Sequence, residues 1–242
     1  MTSDQIVRQV LKPVVFLAAL IPACRLAWDV FAEHLSANPL GDITNSTGDW
    51  TLRFLCFALA VTPFRRITGW NAAVRFRRML GLFAFFYGAV HFLIYIIFDR
   101  YAGVDFAGRN VSWTLVHALA QAIDDDLYKR PFITIGFAAF ILMVPLAATS
   151  TAGMIRRIGG RNWQALHRLM YVSCIAGVVH YWWLVKADVR RPMTYGAVVA
   201  LLLVFRVYSA RARARGAFNT KSSSPFRSVT VRSGRRPSSS VG

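Results

Sequence analysis

The sequence predicts an all-α integral membrane protein, a bundle of six transmembrane helices with N- and C-termini in the cytoplasm. Three observations carry this. The chain has 242 residues, 55% of them hydrophobic, and a mean hydropathy of +0.41, too apolar for an ordinary soluble domain of that size. Several apolar runs approach the roughly 20 residues needed to cross a hydrocarbon core. The longest, Pro131 to Ile155, holds no charged residue. Finally, Lys and Arg gather in two inter-helix loops and at the C-terminus, as the positive-inside rule requires.

Span one is expected over Val10 to Val30. The N-terminus loosely resembles a signal peptide. Its apolar run continues to Phe31, interrupted by Arg25 and Asp29, and shows no convincing cleavage site, so it reads as a retained span. The segment EHLSANPLGDITNSTGDW follows, a loop rich in turn-forming residues with Glu33, Asp42 and Asp49 and no Lys or Arg. Span two is short, Trp50 to Ile67, with Arg53 at its start and Pro63 expected to kink or end it. A basic loop with Arg65, Arg66, Arg75, Arg77 and Arg78 leads to span three, Met79 to Phe98.

Asp99 to Arg130 is acidic, with the run Asp124, Asp125, Asp126, and part of it, Trp113 to Ile123, reads as a short interfacial helix. Span four starts at Pro131, is bent or broken at Pro145 and ends near TSTAGM. The basic loop IRRIGGRNW precedes span five, Trp163 to Val185. The turn KADVRRP leads to span six, Pro192 to Tyr208. Residues 1–210 thus form the membrane domain, and 211–242 a basic Ser/Arg-rich cytoplasmic tail expected to be disordered. Loops alternate between acidic and basic, which sets the orientation. The turn with Lys186, Arg190 and Arg191 against Asp188 runs counter to this pattern, and the other loops outvote it.

The charge of +18 does not indicate nucleic acid, because it follows the loop pattern and the tail rather than a groove. Cys24, Cys56 and Cys174 lie in apolar stretches, odd in number and without a CxxC, so neither a disulfide framework nor a zinc site is expected.

The chemistry lies in the histidines. His91 in span three and His167 and His180 in span five are costly in a bilayer and mark function. Neutral imidazoles suit the two axial positions of haem b. Both spans start inside. His91 lies 13 residues beyond Arg78 and His180 lies 13 beyond His167, so at about 1.5 Å per residue His91 and His180 share a depth near the outer face. They are the expected axial pair. A span-three partner for His167 would fall at 77 or 78, which are Arg77 and Arg78. His167 is left as a ligand of a second haem, a cofactor contact or an interfacial hydrogen-bonding residue. It also lies about 140° around an ideal helix from His180. His34 and His117 read as solvated loop residues. Arg25 and Arg53, near the outer end, could pair with haem propionates or snorkel to the headgroups.

The blocks NPLGDITNSTGDW, TPFRR, RRMLGLFAFFYGAVH, RPFITIGF, TSTAGM, WQALHRLMY and HYWWLVK together resemble the MsrQ (formerly YedZ) family of haem-binding membrane subunits, within the ferric-reductase-like transmembrane superfamily. The likeness spans residues 8–208. It implies a bacterial inner-membrane protein that binds haem b and FMN, with His91, His167 and His180 as ligands. Electrons would come from the quinone pool or a cytosolic flavin reductase and pass to MsrP, a periplasmic molybdopterin methionine sulfoxide reductase. On this reading the chain is an electron-transfer subunit rather than the catalytic one. The alternatives are a stand-alone ferric or quinone reductase of the same superfamily, or a haem-free helical transporter or assembly protein whose histidines pack or relay protons.

Overall fold

A computed structural model of the chain describes residues 3–101, 120, 124, 126–185 and 188–222. Among these, every regular element is a helix: after short helical turns at Ser3–Ile6 and Val7–Leu11 come α1 (Lys12–Phe31), α2 (Pro39–Thr68), α3 (Val74–Ile94), α4 (Pro131–Ala148), α5 (Ala152–Ile158), α6 (Gly160–Leu166), α7 (Leu169–Leu184) and α8 (Arg190–Ser222). The chain divides into two units, Met1–Phe205 and Arg206–Gly242.

Four helical stretches are long and apolar enough to cross a membrane: Val7–Phe31, Asn71–Phe98, Pro131–Ala148 and Arg190–Ala212. Together they make this a membrane protein. Two expected spans stand outside that set for local reasons. Half of α2 is polar, and α7 has only 16 residues because the expected fifth span is interrupted at His167 and Arg168.

Several boundaries differ from the sequence reading. The helix of span two begins at Pro39, inside the expected loop. Asn38 caps it, its side-chain oxygen accepting from Gly41 N at 3.1 Å, and Pro39 occupies the first turn, where a missing N–H costs nothing. In this exposed polar turn, ahead of the expected span, Asp42 accepts from Ser36 N at 2.7 Å, and hydrogen bonds from the side chain and backbone of Ser36 hold its carboxyl below the usual range. Threonines suited to a loop are satisfied by the helix itself: Thr47 Oγ1 donates to Ile43 O at 2.8 Å and Thr51 Oγ1 to Thr47 O at 2.9 Å. Pro63 does not end α2, which closes at Gly69, a left-handed position (φ 72°) that glycine adopts without steric cost. Likewise α4 continues through Pro145 to Ala148.

Span three leaves α-geometry at Tyr95 and continues as a π-helix, Tyr95–Tyr101. α8 runs past Tyr208, the end that the sequence predicts, to Ser222, so the first part of the expected tail is helical. Residues 223–242 and the expected interfacial helix Trp113–Ile123, apart from 120, lie outside the described residues.

α2, α3, α4 and α7 pack as a closed circuit: α2 against α3, α3 against α4, α4 against α7, and α7 back against α2. The core combines Phe54, Leu55 and Leu59 of α2, Phe83 and Tyr87 of α3, Met143 and Leu146 of α4, and Met170 and Cys174 of α7. Lipid supplies no hydrophobic drive between helices, so close approach of small residues and interhelical hydrogen bonds matter most. Ala58, Ala84 and Ser173 are fully buried, and Ser173 Oγ donates to Ala139 O at 2.8 Å, tying α7 to α4. Cys56 and Cys174 are buried free thiols, whereas Cys24 is exposed.

α1 joins through Tyr87, whose hydroxyl donates to Ala19 O (2.8 Å) and accepts from Ala23 N (3.1 Å). It enters the α1 hydrogen-bond ladder beside Pro22, where the ladder already lacks a donor.

Ala84→Leu should overpack the α2–α3 contact and cost about 1–3 kcal/mol. Gly81→Ala, three residues earlier, should be neutral or slightly stabilising, since a Cβ there meets no atom within 4 Å. Thermal unfolding of the detergent-solubilised protein checks both, and equal effects would contradict the packing described.

Candidate functional site

The structure brings His91 and His180 together. Their ring centres are 6.3 Å apart and their planes 80° to one another. They stand on α3 and α7, across the four-helix circuit, and each is held by a neighbouring helix. His91 Nδ1 lies 3.0 Å from Thr44 O on α2, with Thr47 Oγ1 at 3.4 Å. His180 Nδ1 lies 2.6 Å from Phe132 O on α4. A carbonyl only accepts, so each Nδ1 carries the proton and each Nε2 is left with a free lone pair. This is the arrangement of metal-ligating histidines, whose second nitrogen donates to a carbonyl that fixes tautomer and ring orientation.

Two glycines make room for these rings. A Cβ at Gly136 on α4 would stand 2.6 Å from His180 Nδ1, and one at Gly48 on α2 would stand 3.3 Å from His91 Cε1 and Nδ1. At Gly136 only the bare backbone lets the imidazole reach its carbonyl, and at Gly48 the fit is tight. A metal–imidazole bond is about 2.0 Å, with the ring centre roughly an ångström beyond, so two rings on one ion stand about 6 Å apart. The observed 6.3 Å matches the spacing that two imidazoles sharing one metal would need. No group of three or more His, Cys, Asp or Glu side chains suited to a metal occurs among the described residues. Two imidazoles alone would leave the remaining positions of a shared metal to other ligands.

His167 lies elsewhere. It sits in the turn between α6 and α7, so the continuous helix expected from Trp163 to Val185 is two pieces. The 140° separation from His180 on an ideal helix therefore does not apply. Its ring stacks on Trp163 (centres 3.8 Å apart, planes at 29°), and Nδ1 bonds back to Trp163 O at 3.0 Å. Nε2 faces Ser150 Oγ at 3.5 Å. Trp163 Nε1 in turn donates to Thr149 O at 2.9 Å, fastening the joint to the end of α4. No second histidine meets His167 among the described residues.

Arg25 is exposed on α1. Arg53 does not snorkel freely. Nη2 lies 3.6 Å from Asp49 Oδ2, Nε donates to Tyr195 OH at 3.1 Å, and the guanidinium stands 4.5 Å from the centre of the Trp50 ring. Arg191 Nη1 meets the same Asp49 oxygen at 3.6 Å. His34 is exposed, and His117 lies outside the described residues. Of the aromatics near the histidines, Phe83 and Tyr87 are core residues, while Phe86, Trp182 and Trp183 are exposed.

Sequence reasoning missed Gly48 and Gly136, the carbonyls of Thr44 and Phe132, and the Asp49–Arg191 contact. A glycine within an apolar helix carries no signal of its own, and a main-chain carbonyl carries none at all; only the pairing of helices reveals them. Sequence reasoning assigned no contact to Asp126 in its acidic run; its side chain is buried, accepts from Tyr95 OH and lies 3.5 Å from Arg130 Nε.

Residues 47–178 match the family model described as ferric reductase like transmembrane component. The chain is 48% identical over 202 residues to a protein of Herminiimonas arsenicoxydans, covering 83% of this chain and 85% of that one. It is 51% identical over 196 residues to one of Ralstonia nicotianae, covering 80% and 83%. It is 46% identical over 209 residues to one of Bordetella pertussis, covering 86% and 93%. All three bear the name protein-methionine-sulfoxide reductase heme-binding subunit MsrQ. With a matched model over more than half its length and relatives of this similarity over most of theirs, the chain belongs to the MsrQ family of ferric reductase like transmembrane components.

Proposed function

We propose that this chain is a b-type electron-transfer subunit of the bacterial inner membrane, holding haem b between His91 and His180. The observation that carries the reading is the facing pair of imidazoles, each donating from Nδ1 to a carbonyl of the neighbouring helix and each seated on a glycine. The relatives' printed names, as haem-binding subunits of a methionine sulfoxide reductase, supply the context. Electrons from the quinone pool or a cytosolic flavin reductase are passed to a periplasmic molybdopterin reductase, MsrP, which repairs oxidised methionine in envelope proteins. FMN is the second cofactor that the family resemblance implies. The chain crosses the membrane six times, on α1, α2, α3, α4, α6 with α7, and α8, with both termini in the cytoplasm.

When bound, haem supplies reversible one-electron chemistry at iron. The protein's own groups do the rest. Thr44 O and Phe132 O hold the two rings by their Nδ1–H groups, which leaves Nε2 of each as the nitrogen that would bind the metal. The apolar core below them excludes water. Arg53, and Arg25 on α1, are the groups proposed for the propionates. His167 serves a separate position toward the inner face, on the order of 20 Å from His180 along the chain's helical rise. There it offers Nε2 to a second haem or a cofactor.

A dithionite-reduced minus oxidised visible spectrum of the purified protein should be b-type, lost in His91→Ala and in His180→Ala, with His167→Ala reporting a second haem by the absorbance that remains. A folded wild-type protein that takes up no haem would overturn the proposal.

Gly136→Ala should reduce haem content severalfold, because its Cβ displaces His180 from Phe132 O, while Gly48→Ala, with 3.3 Å available, should reduce it less. Pyridine haemochrome quantitation ranks the two, and equal retention would contradict the seating described.

A further inference from the structure

The segment leading into α8, with Arg190 and Arg191 in its first turn, carries positive charge where the orientation rule calls for little, and Arg191 meets an acid of α2. Arg191 and Arg53 converge on one oxygen of Asp49, each at 3.6 Å. Arg53 is fixed further by Tyr195 OH and Trp50. The Asp49 side chain is only 12% exposed. Two cations thus share one acid, leaving a net positive charge.

This cluster lies at the level of the histidine pair. Asp49 follows Gly48, the residue against the His91 ring. Tyr181 follows His180, and its ring stands 6.1 Å from that of Tyr195, which receives Arg53. One residue of helix rise is about 1.5 Å and a helix with its side chains about 10 Å across, so the charges stand within roughly one helix diameter of the pair. Asp49 is largely buried while the Arg53 and Arg191 side chains are 40% and 71% exposed, so salt screens the carboxylate least and Arg191 most.

We propose that Asp49, Arg53 and Arg191 set the reduction potential at the His91–His180 site. The proposal rests on the haem reading above. Reduction adds one electron from the donor, a quinol or reduced flavin, and so one negative charge at the metal. The two guanidiniums favour that charge and the carboxylate opposes it, so the residues act with opposite signs. None of the three is a metal ligand, and Asp49 and Arg191 act through charge alone. A latch that merely joined α2 to α8 would affect stability without this opposition of sign.

The test is a spectroelectrochemical titration of the full-length protein in detergent. Arg191→Gln should lower the midpoint potential of the outer haem, Asp49→Asn should raise it, and Arg191→Lys, which keeps the charge, should stay near wild type. The Arg191 side chain is 71% exposed, so its substitution is compatible with folding. The Gln and Lys variants decide the matter even if Asp49→Asn fails to fold: a lowered potential restored by Lys supports the proposal, and equal potentials overturn it. Shifts of one sign in Arg191→Gln and Asp49→Asn would also overturn it. A wild-type protein without haem would instead defeat the haem reading on which the proposal stands.

Discussion

An imidazole among apolar helices must find partners for both nitrogens, and that requirement organises this bundle. In both His91 and His180 the Nδ1 proton goes to a backbone carbonyl of the next helix, Thr44 O and Phe132 O. Each hydrogen bond joins two helices, so two of the contacts in the helix circuit, α2–α3 and α4–α7, are also histidine contacts. The remaining nitrogens have no equivalent carbonyl. A group entering between them would complete the polar balance of the core, and for that reason ligand binding and helix packing are one problem here.

Close approach sets the second constraint. A ring can reach a main-chain carbonyl across a helix interface only where little side chain intervenes, which fixes Gly136 firmly and favours a small residue at Gly48. The same use of small residues recurs lower in the core, where Ala58, Ala84 and Ser173 have no exposed surface. Beside the close-packed contacts, charge is the other variable. Asp49 of α2 draws together Arg53 of the same helix and Arg191 from the first turn of α8.

Much of this was legible from spacing. Equal counts of 13 residues, from Arg78 and from His167, were enough to bring His91 level with His180, because depth along a helix depends on residue count and little else. The all-helical class followed from long uncharged apolar runs. The joint at His167 was not legible: a turn there depends on the Trp163 stack and on Thr149 and Ser150 from the preceding helix end, contacts remote in sequence. The early start of α2 was hidden because Asn, Asp, Ser and Thr favour loops until a cap and back-bonded hydroxyls satisfy them inside a helix. Arg191 and Asp49 lie far apart in the chain, and only the pairing of α2 with the start of α8 brings them into contact.

The most direct measurement of the central claim is the low-temperature electron paramagnetic resonance spectrum of the oxidised protein. Two imidazoles on one ferric iron with planes near perpendicular, as the 80° angle between His91 and His180 requires, give a low-spin signal of very large g anisotropy. That signal, absent from His91→Ala and His180→Ala, is the expected result. A high-spin signal from the intact protein, or a low-spin signal that survives both substitutions, would contradict the clamp.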